Sequence, residues 1–321
     1  IANIFSVKVY GEIEYWLSFI KVGVIIVFIV LGFFTVMQQP QFGTHNWHIA
    51  DAPFHNGWYG FIAVFLFAGF SFQGTELIGV ASGETKDPEK SIPKSIKLVF
   101  WRLTLFYVLS IGIISLLLPF NDPQLAQQNS VTTSPYTLIF EKFAGMYAAD
   151  AMNFIILIAL ISAANASMYS SSRILWYMGQ HGQTPSIFKK FNKHGVPIPA
   201  LLATALVGSL VFVSSIIGNG TFFGIIVQIS SLCGFIAWFG IALSHYKFRR
   251  NVLPALGGVG ILKYKAKFYP WAQITSMLVI AFIVVAQFIT LGEHYGFFDF
   301  IMLYSSVILF AIIYFLHRFY L

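Results

Sequence analysis

Eight apolar stretches recur along the 321-residue chain. Each is about 20 residues long, the length of α-helix that a ~30 Å hydrocarbon core demands. They lie at about 15–36, 58–81, 98–118, 148–177, 198–217, 222–246, 271–291 and 297–316. Barrel strands would alternate weakly over roughly ten residues, and no such pattern runs through these segments. With 57% hydrophobic and only 10% charged residues, the chain has too little polar surface for a soluble globule. The expected fold class is an all-α transmembrane bundle in a single membrane domain.

The formal charge of +7 is distributed as a topology signal. Basic residues cluster at 82–97, 178–197 and 247–269, whereas the intervening loops lack Lys and Arg, except for Lys142 in an amphipathic piece at 137–145. The positive-inside rule then puts the basic loops and both ends of the chain on the cytoplasmic side, and nucleic acid is excluded as a partner. Cys233 is the one cysteine and lies in an apolar span, so no intrachain disulfide forms. The first residue is Ile1, with no signal peptide behind it, and the chain reads as the later part of a longer one.

The second span is unlike the others. Gly69, Ser71, Gln73, Gly74, Thr75 and Glu76 follow one another inside it, and the span runs on into GETKDPEKSIPK. Peptide groups leave the helical ladder at membrane depth only where protein buries them or a watery cavity receives them. A carboxylate there costs about 2.5–3.5 kcal/mol on insertion scales. The segment 70–76 is therefore read as half of a substrate pocket, in which a half-helix starting near Thr75 faces an anion and the preceding carbonyls face a cation. Such a pair suits the zwitterion of an amino acid. The alternative is that Glu76 only satisfies amides freed by a kink.

Lys21 is the second ionisable group at depth. It lies ~13 Å beyond Glu12 at 1.5 Å per residue, far from either interface, so it carries a proton, serves as a fixed positive charge or else snorkels. Ser162, Asn165, Tyr169 and Ser172 share one helical face, which lines a pocket or packs helices. Gln228, Ser230 and Ser231 carry the same ambiguity. Aromatic residues such as Phe70, Phe72 and Trp238 are packing or interfacial groups as readily as gates. His45, His48 and His55 sit in an outer loop as solvated side chains rather than metal ligands. There is no phosphate loop, nucleophile elbow or paired catalytic carboxylate, so an enzyme is not expected.

FQGTELIGVASGETKDPEKSIPKSI and GFIAWFGIALSHYKFRR resemble the sixth-helix and tenth-helix signatures of bacterial amino-acid permeases of the amino acid-polyamine-organocation superfamily. GEIEYWLSFIKV, LPFNDPQL, SAANASMYSSSRILWYM and GVPIPA extend the resemblance over nearly the whole chain, which is most like the lysine-specific permeases. The resemblance implies a LeuT-type inverted-repeat bundle of twelve helices, of which this chain carries helices five to twelve. Residues 1–37 would end the first repeat, 58–246 form the second, and 269–318 add two helices, with helices one to four lying upstream. It implies secondary active amino-acid transport in the bacterial inner membrane, driven by a proton gradient with no cofactor or metal. Substrate would meet Phe70, Ser71, Phe72, Gln73, Gly74, Thr75, Glu76, Asn165 and Ser231, with Phe70 closing over it. Lys21 would stand where relatives bind sodium and would sense the proton, with Glu76 coupling the break to gating. Lysine is the expected substrate. Aromatic or neutral amino acids, a sensor that binds without transporting, and a chain inactive without its missing helices are the alternatives.

Overall fold

A computed structural model describes residues 7–39, 42–50, 52, 54–82, 85, 87–125, 134–209, 211–212, 220–290 and 296–320. Among these residues the regular structure is helical, without strands. The α-helices are α1 (Val7–Gln38), α2 (Gly57–Phe72), α3 (Leu77–Ala81), α4 (Pro88–Leu117), α5 (Pro135–Ala144), α6 (Met146–Gln180), α7 (Ile198–Ser209), α8 (Gly220–Lys247), α9 (Trp271–Thr290) and α10 (Phe297–Tyr320). Six stretches are long and apolar enough to cross a membrane, and the shorter apolar helices Ile198–Ser209 and Phe300–Leu316 fall on the remaining two expected spans. The protein is thus a multi-pass membrane protein. The expected turn at 215–220 and the far end of the fifth span lie largely outside the described residues.

The chain forms two compact units, Ile1–Pro53 with Ile96–Gly220, and Phe54–Ser95 with Thr221–Leu321. In the first, Phe28, Ile113, Leu117, Leu118, Leu138 and Ile139 join α1, α4 and α5 in one buried cluster. Gly32 permits the close approach, since a Cβ there would run into the Ile113 side chain. The segment after α1 is strapped on by Asn46, whose amide donates to the Leu116 carbonyl at 2.9 Å, and by the Trp47 indole, which donates to Ser115 Oγ at 3.0 Å. Thr137 of α5 donates to Asn153 of α6 at 2.8 Å.

In the second unit Leu232 and Phe235 of α8, Ile283 of α9 and Leu303 of α10 form the core. Gln287, fully buried, donates from its side-chain amide to the Ile62 carbonyl at 3.1 Å and so ties α9 to α2. Lipid is as apolar as leucine, so these clusters gain close packing and hydrogen bonds rather than removal from water. Small residues at the contacts therefore decide which helices pair.

Candidate functional site

The expected break in the second span is present and narrower than its sequence indicates. Phe70, Ser71 and Phe72 remain in the last turn of α2, and the turn residues are Gln73, Gly74, Thr75 and Glu76. The reading of 70–76 as unwound is thus trimmed to four residues. Gln73 is extended at φ −61° and ψ 146°, and Gly74 takes φ +96°. An L-residue enters that left-handed region at a cost, whereas glycine does not, so the helix runs until Gly74 allows it to stop. Beyond the turn, α3 is only five residues long and begins at Leu77 rather than near Thr75.

Three short-range bonds carry the backbone across: Gln73 N–H to Phe70 O at 3.2 Å, Leu77 N–H to Gly74 O at 3.2 Å and Gly79 N–H to Glu76 O at 2.9 Å. The Glu76 carboxylate folds back onto the turn. It accepts the Gly74 amide at 3.1 and 3.2 Å on its two oxygens and the Thr75 hydroxyl at 3.4 Å. It also accepts the indole N–H of Trp238 on α8 at 3.0 Å. Gln73 makes a two-way pair with the same helix: its amide donates to the Ser230 carbonyl, and Ser230 Oγ donates to Gln73 Oε1 at 3.1 Å. The unwound turn is therefore stapled to α8 at two points, 162 and 157 residues away along the chain.

Glycines make the staple fit. A Cβ on Gly69 would sit 2.5 Å from both Ser231 Oγ and Phe235 Cζ, and a Cβ on Gly234 would strike the Gln73 amide. Ser231 is buried beneath Gly69, with a hydroxyl that finds no hydrogen-bond partner among the described residues. Phe70 and Phe72 keep 42% and 38% of their surface exposed, while Ser71 Oγ donates to its own helix at Phe67 O, 3.2 Å away. Of the expected ligands in this unit, Gln73, Gly74, Thr75 and Glu76 are brought together with Trp238 and Ser230. Neither of the last two was singled out as a ligand, because their roles depend on pairing between distant helices.

A second polar group lies wholly within the first unit. Lys21 Nζ donates to Ser162 Oγ at 2.7 Å, and Ser162 Oγ donates to Glu14 Oε2 at 2.6 Å. Asn165 Nδ2 donates to the other carboxylate oxygen, Glu14 Oε1, at 2.9 Å. Ser162 is buried at 1% exposure, so its hydroxyl is committed to this bridge. Glu14 lies just before the first expected span at about 15–36. Its seven-residue separation from Lys21 is a signal that could have linked them, since two helical turns return a side chain to nearly the same face. Further along α6, Ser172 donates to the Tyr169 carbonyl at 2.8 Å and the Arg173 guanidinium lies 4.4 Å from the Tyr169 ring centroid, a buried cation–π pair the sequence did not disclose. Among the described residues no three His, Cys, Asp or Glu side chains are grouped to hold a metal.

Sequence comparison relates the chain to known proteins. The family described as amino acid permease matches residues 1–321. The chain is 43% identical over 300 residues to the lysine-specific permease LysP of Escherichia coli (strain K12), covering 91% of this chain and 60% of that protein. It is 40% identical over 327 residues to LysP of Lactococcus lactis, covering 99% of this chain and 64% of that protein. It is 38% identical over 322 residues to the histidine permease HisP of the same bacterium, covering 98% of this chain and 67% of that protein. The chain thus spans less than two thirds of the length of the two lysine permeases.

Proposed function

The chain belongs to the amino acid permease family, its relatives being transporters by name rather than enzymes, and on that footing we propose that it is part of a proton-driven importer of lysine. The observation that carries this reading is the interrupted helix at 73–76, where peptide groups leave the ladder at membrane depth beside a carboxylate. Among the described residues Glu76 accepts from an amide, a hydroxyl and an indole, all neutral donors. Its negative charge is therefore solvated but not cancelled, and a cationic amino acid supplies the missing charge. Histidine, named for one relative, is the second cationic candidate. In this reading Phe70 closes over substrate, the turn with Ser71 and Phe72 on its flank holds it, and Ser231 contributes a polar contact. Lys21 carries the proton, no cofactor or metal takes part, and the basic loops and both chain ends face the cytoplasm of a bacterial inner membrane.

The test uses the full-length protein in proteoliposomes. Labelled lysine accumulates under an acid-outside gradient, the accumulation collapses with a protonophore, and Lys21→Ala abolishes it. Arginine and histidine compete more strongly than aromatic or neutral amino acids. Accumulation that ignores the protonophore refutes proton coupling, and equal competition by leucine refutes the cationic preference. Binding without counterflow identifies a sensor instead of a transporter.

A further inference from the structure

Lys21, Ser162 and Glu14 are joined by two short hydrogen bonds through one buried hydroxyl. An ammonium and a carboxylate held this way have a neutral alternative, an amine and a carboxylic acid, and low-dielectric surroundings narrow the gap between the two forms. We propose that Ser162 is a proton bridge between Lys21 and Glu14, and that Glu14 is the group through which the Lys21 proton enters and leaves the protein. This deepens the proton-coupling role given to Lys21 and rests on that reading.

The step balances within the three residues. A Lys21 Nζ–H bond breaks as that proton joins Ser162 Oγ, while the hydroxyl's own proton leaves Oγ for Glu14 Oε2. The products are a neutral amine, an unchanged serine and a protonated carboxyl group, and the reverse step restores the ion pair. Asn165 holds the second carboxylate oxygen, fixing the acceptor toward Ser162. The charges facing Lys21 are the Glu14 carboxylate on its own helix and the exposed Arg102 guanidinium on α4, while α6 contributes only the neutral Ser162 and Asn165. Glu14 lies seven residues, or ~10.5 Å, nearer the chain start than Lys21. The bridge thus carries the proton toward the end of α1.

A merely structural serine would lower exchange and accumulation together, whereas a relay member separates them. In proteoliposomes of the full-length protein, with lysine as the probe, Ser162→Ala and Glu14→Gln lower acid-driven accumulation relative to equal-pH counterflow by roughly tenfold, the equivalent of one lost charge-assisted hydrogen bond. Ser162→Thr, which retains a hydroxyl, restores the ratio and the pH profile. Ser162→Ala carries the test alone if Glu14→Gln does not fold. If Lys21→Ala abolishes accumulation while Ser162→Ala and Glu14→Gln keep the wild-type ratio, the relay is overturned and the role of Lys21 stands. If Lys21→Ala itself accumulates lysine normally, proton coupling at Lys21 falls and the relay falls with it.

Discussion

The indole of Trp238 is the more informative of the two staples on the helix break, because one substitution removes its hydrogen bond and little else. Trp238→Phe deletes the N–H that donates to Glu76 at 3.0 Å. The smaller ring still packs edge-on against Phe235, whose centroid lies 5.5 Å away at an interplanar angle of 83°. Hydrogen bonds to charged groups contribute about 1.5–3 kcal/mol. Glu76 is half-buried and keeps the Gly74 amide and the Thr75 hydroxyl, so the lower end applies. A double-mutant cycle with Glu76→Ala isolates the pair, because loss of the turn contacts enters both arms and cancels. Measured by unfolding the full-length protein in mixed micelles of increasing SDS fraction, the coupling should be about 1.5 kcal/mol. A coupling below about 0.3 kcal/mol, within ordinary additivity, would refute the staple. Lysine binding measured on the same variants then tells whether the indole holds the break in its binding geometry.

Three further outcomes follow from the geometry. Gly69→Ala forces a methyl group to within 2.5 Å of both Ser231 Oγ and Phe235 Cζ, and overpacking of this kind destabilises by about 1–3 kcal/mol in the same micelle titration. Gly74→Ala places a side chain at φ +96°, meeting only Leu77 Cδ1 at an ordinary 3.9 Å, so the loss should be backbone strain alone, about 1–2 kcal/mol; a neutral result would exclude the left-handed turn. In the loop between α4 and α5, the Lys142 ammonium of α5, 2.8 Å from Asp122, and the Gln124 amide hold the Asp122 carboxyl below its ordinary value of 3.8. The pair's stabilisation is therefore complete well above pH 3.8 and is lost as pH falls through the lower native value. Lys142 is 41% exposed, so the contribution is at most about 1 kcal/mol, and Lys142→Met should flatten the acid limb of the stability profile by no more than that.

The break was legible because Gly74 and Glu76 are conspicuous in a span otherwise filled with phenylalanine and leucine. Its length was not, since Phe70, Ser71 and Phe72 are as compatible with a helix as with a turn, and only the dihedral angles of Gln73 and Gly74 separate the two. The shared face of Ser162 and Asn165 was readable from their spacing, but what it faced was not, because Glu14 lies 148 residues before Ser162. Trp238 was invisible as a ligand for the same reason: an indole in an apolar helix gives no local sign of the carboxylate it serves. Helix positions followed from hydropathy where the described residues cover the spans, since lipid imposes one length and one backbone solution on each.

The two half-buried carboxylates, Glu14 and Glu76, obey one rule and differ in one respect. Each lies in a segment apolar enough to cross a membrane, where a carboxylate costs about 2.5–3.5 kcal/mol, and each is surrounded by donors that offset the cost. Glu14 receives Ser162 and Asn165, and through Ser162 it reaches a lysine. Glu76 receives Gly74, Thr75 and Trp238, and no cation hydrogen-bonds to it among the described residues. A carboxylate with a fixed cation in reach can exchange a proton without leaving net charge behind, which suits a coupling device. One solvated only by neutral dipoles leaves its charge unbalanced when ionised, and a cationic ligand would balance it, which suits a ligand site. The assignment of protons to α1 and of cationic substrate to the α2–α3 break rests on that difference in partners, not on the carboxylates themselves.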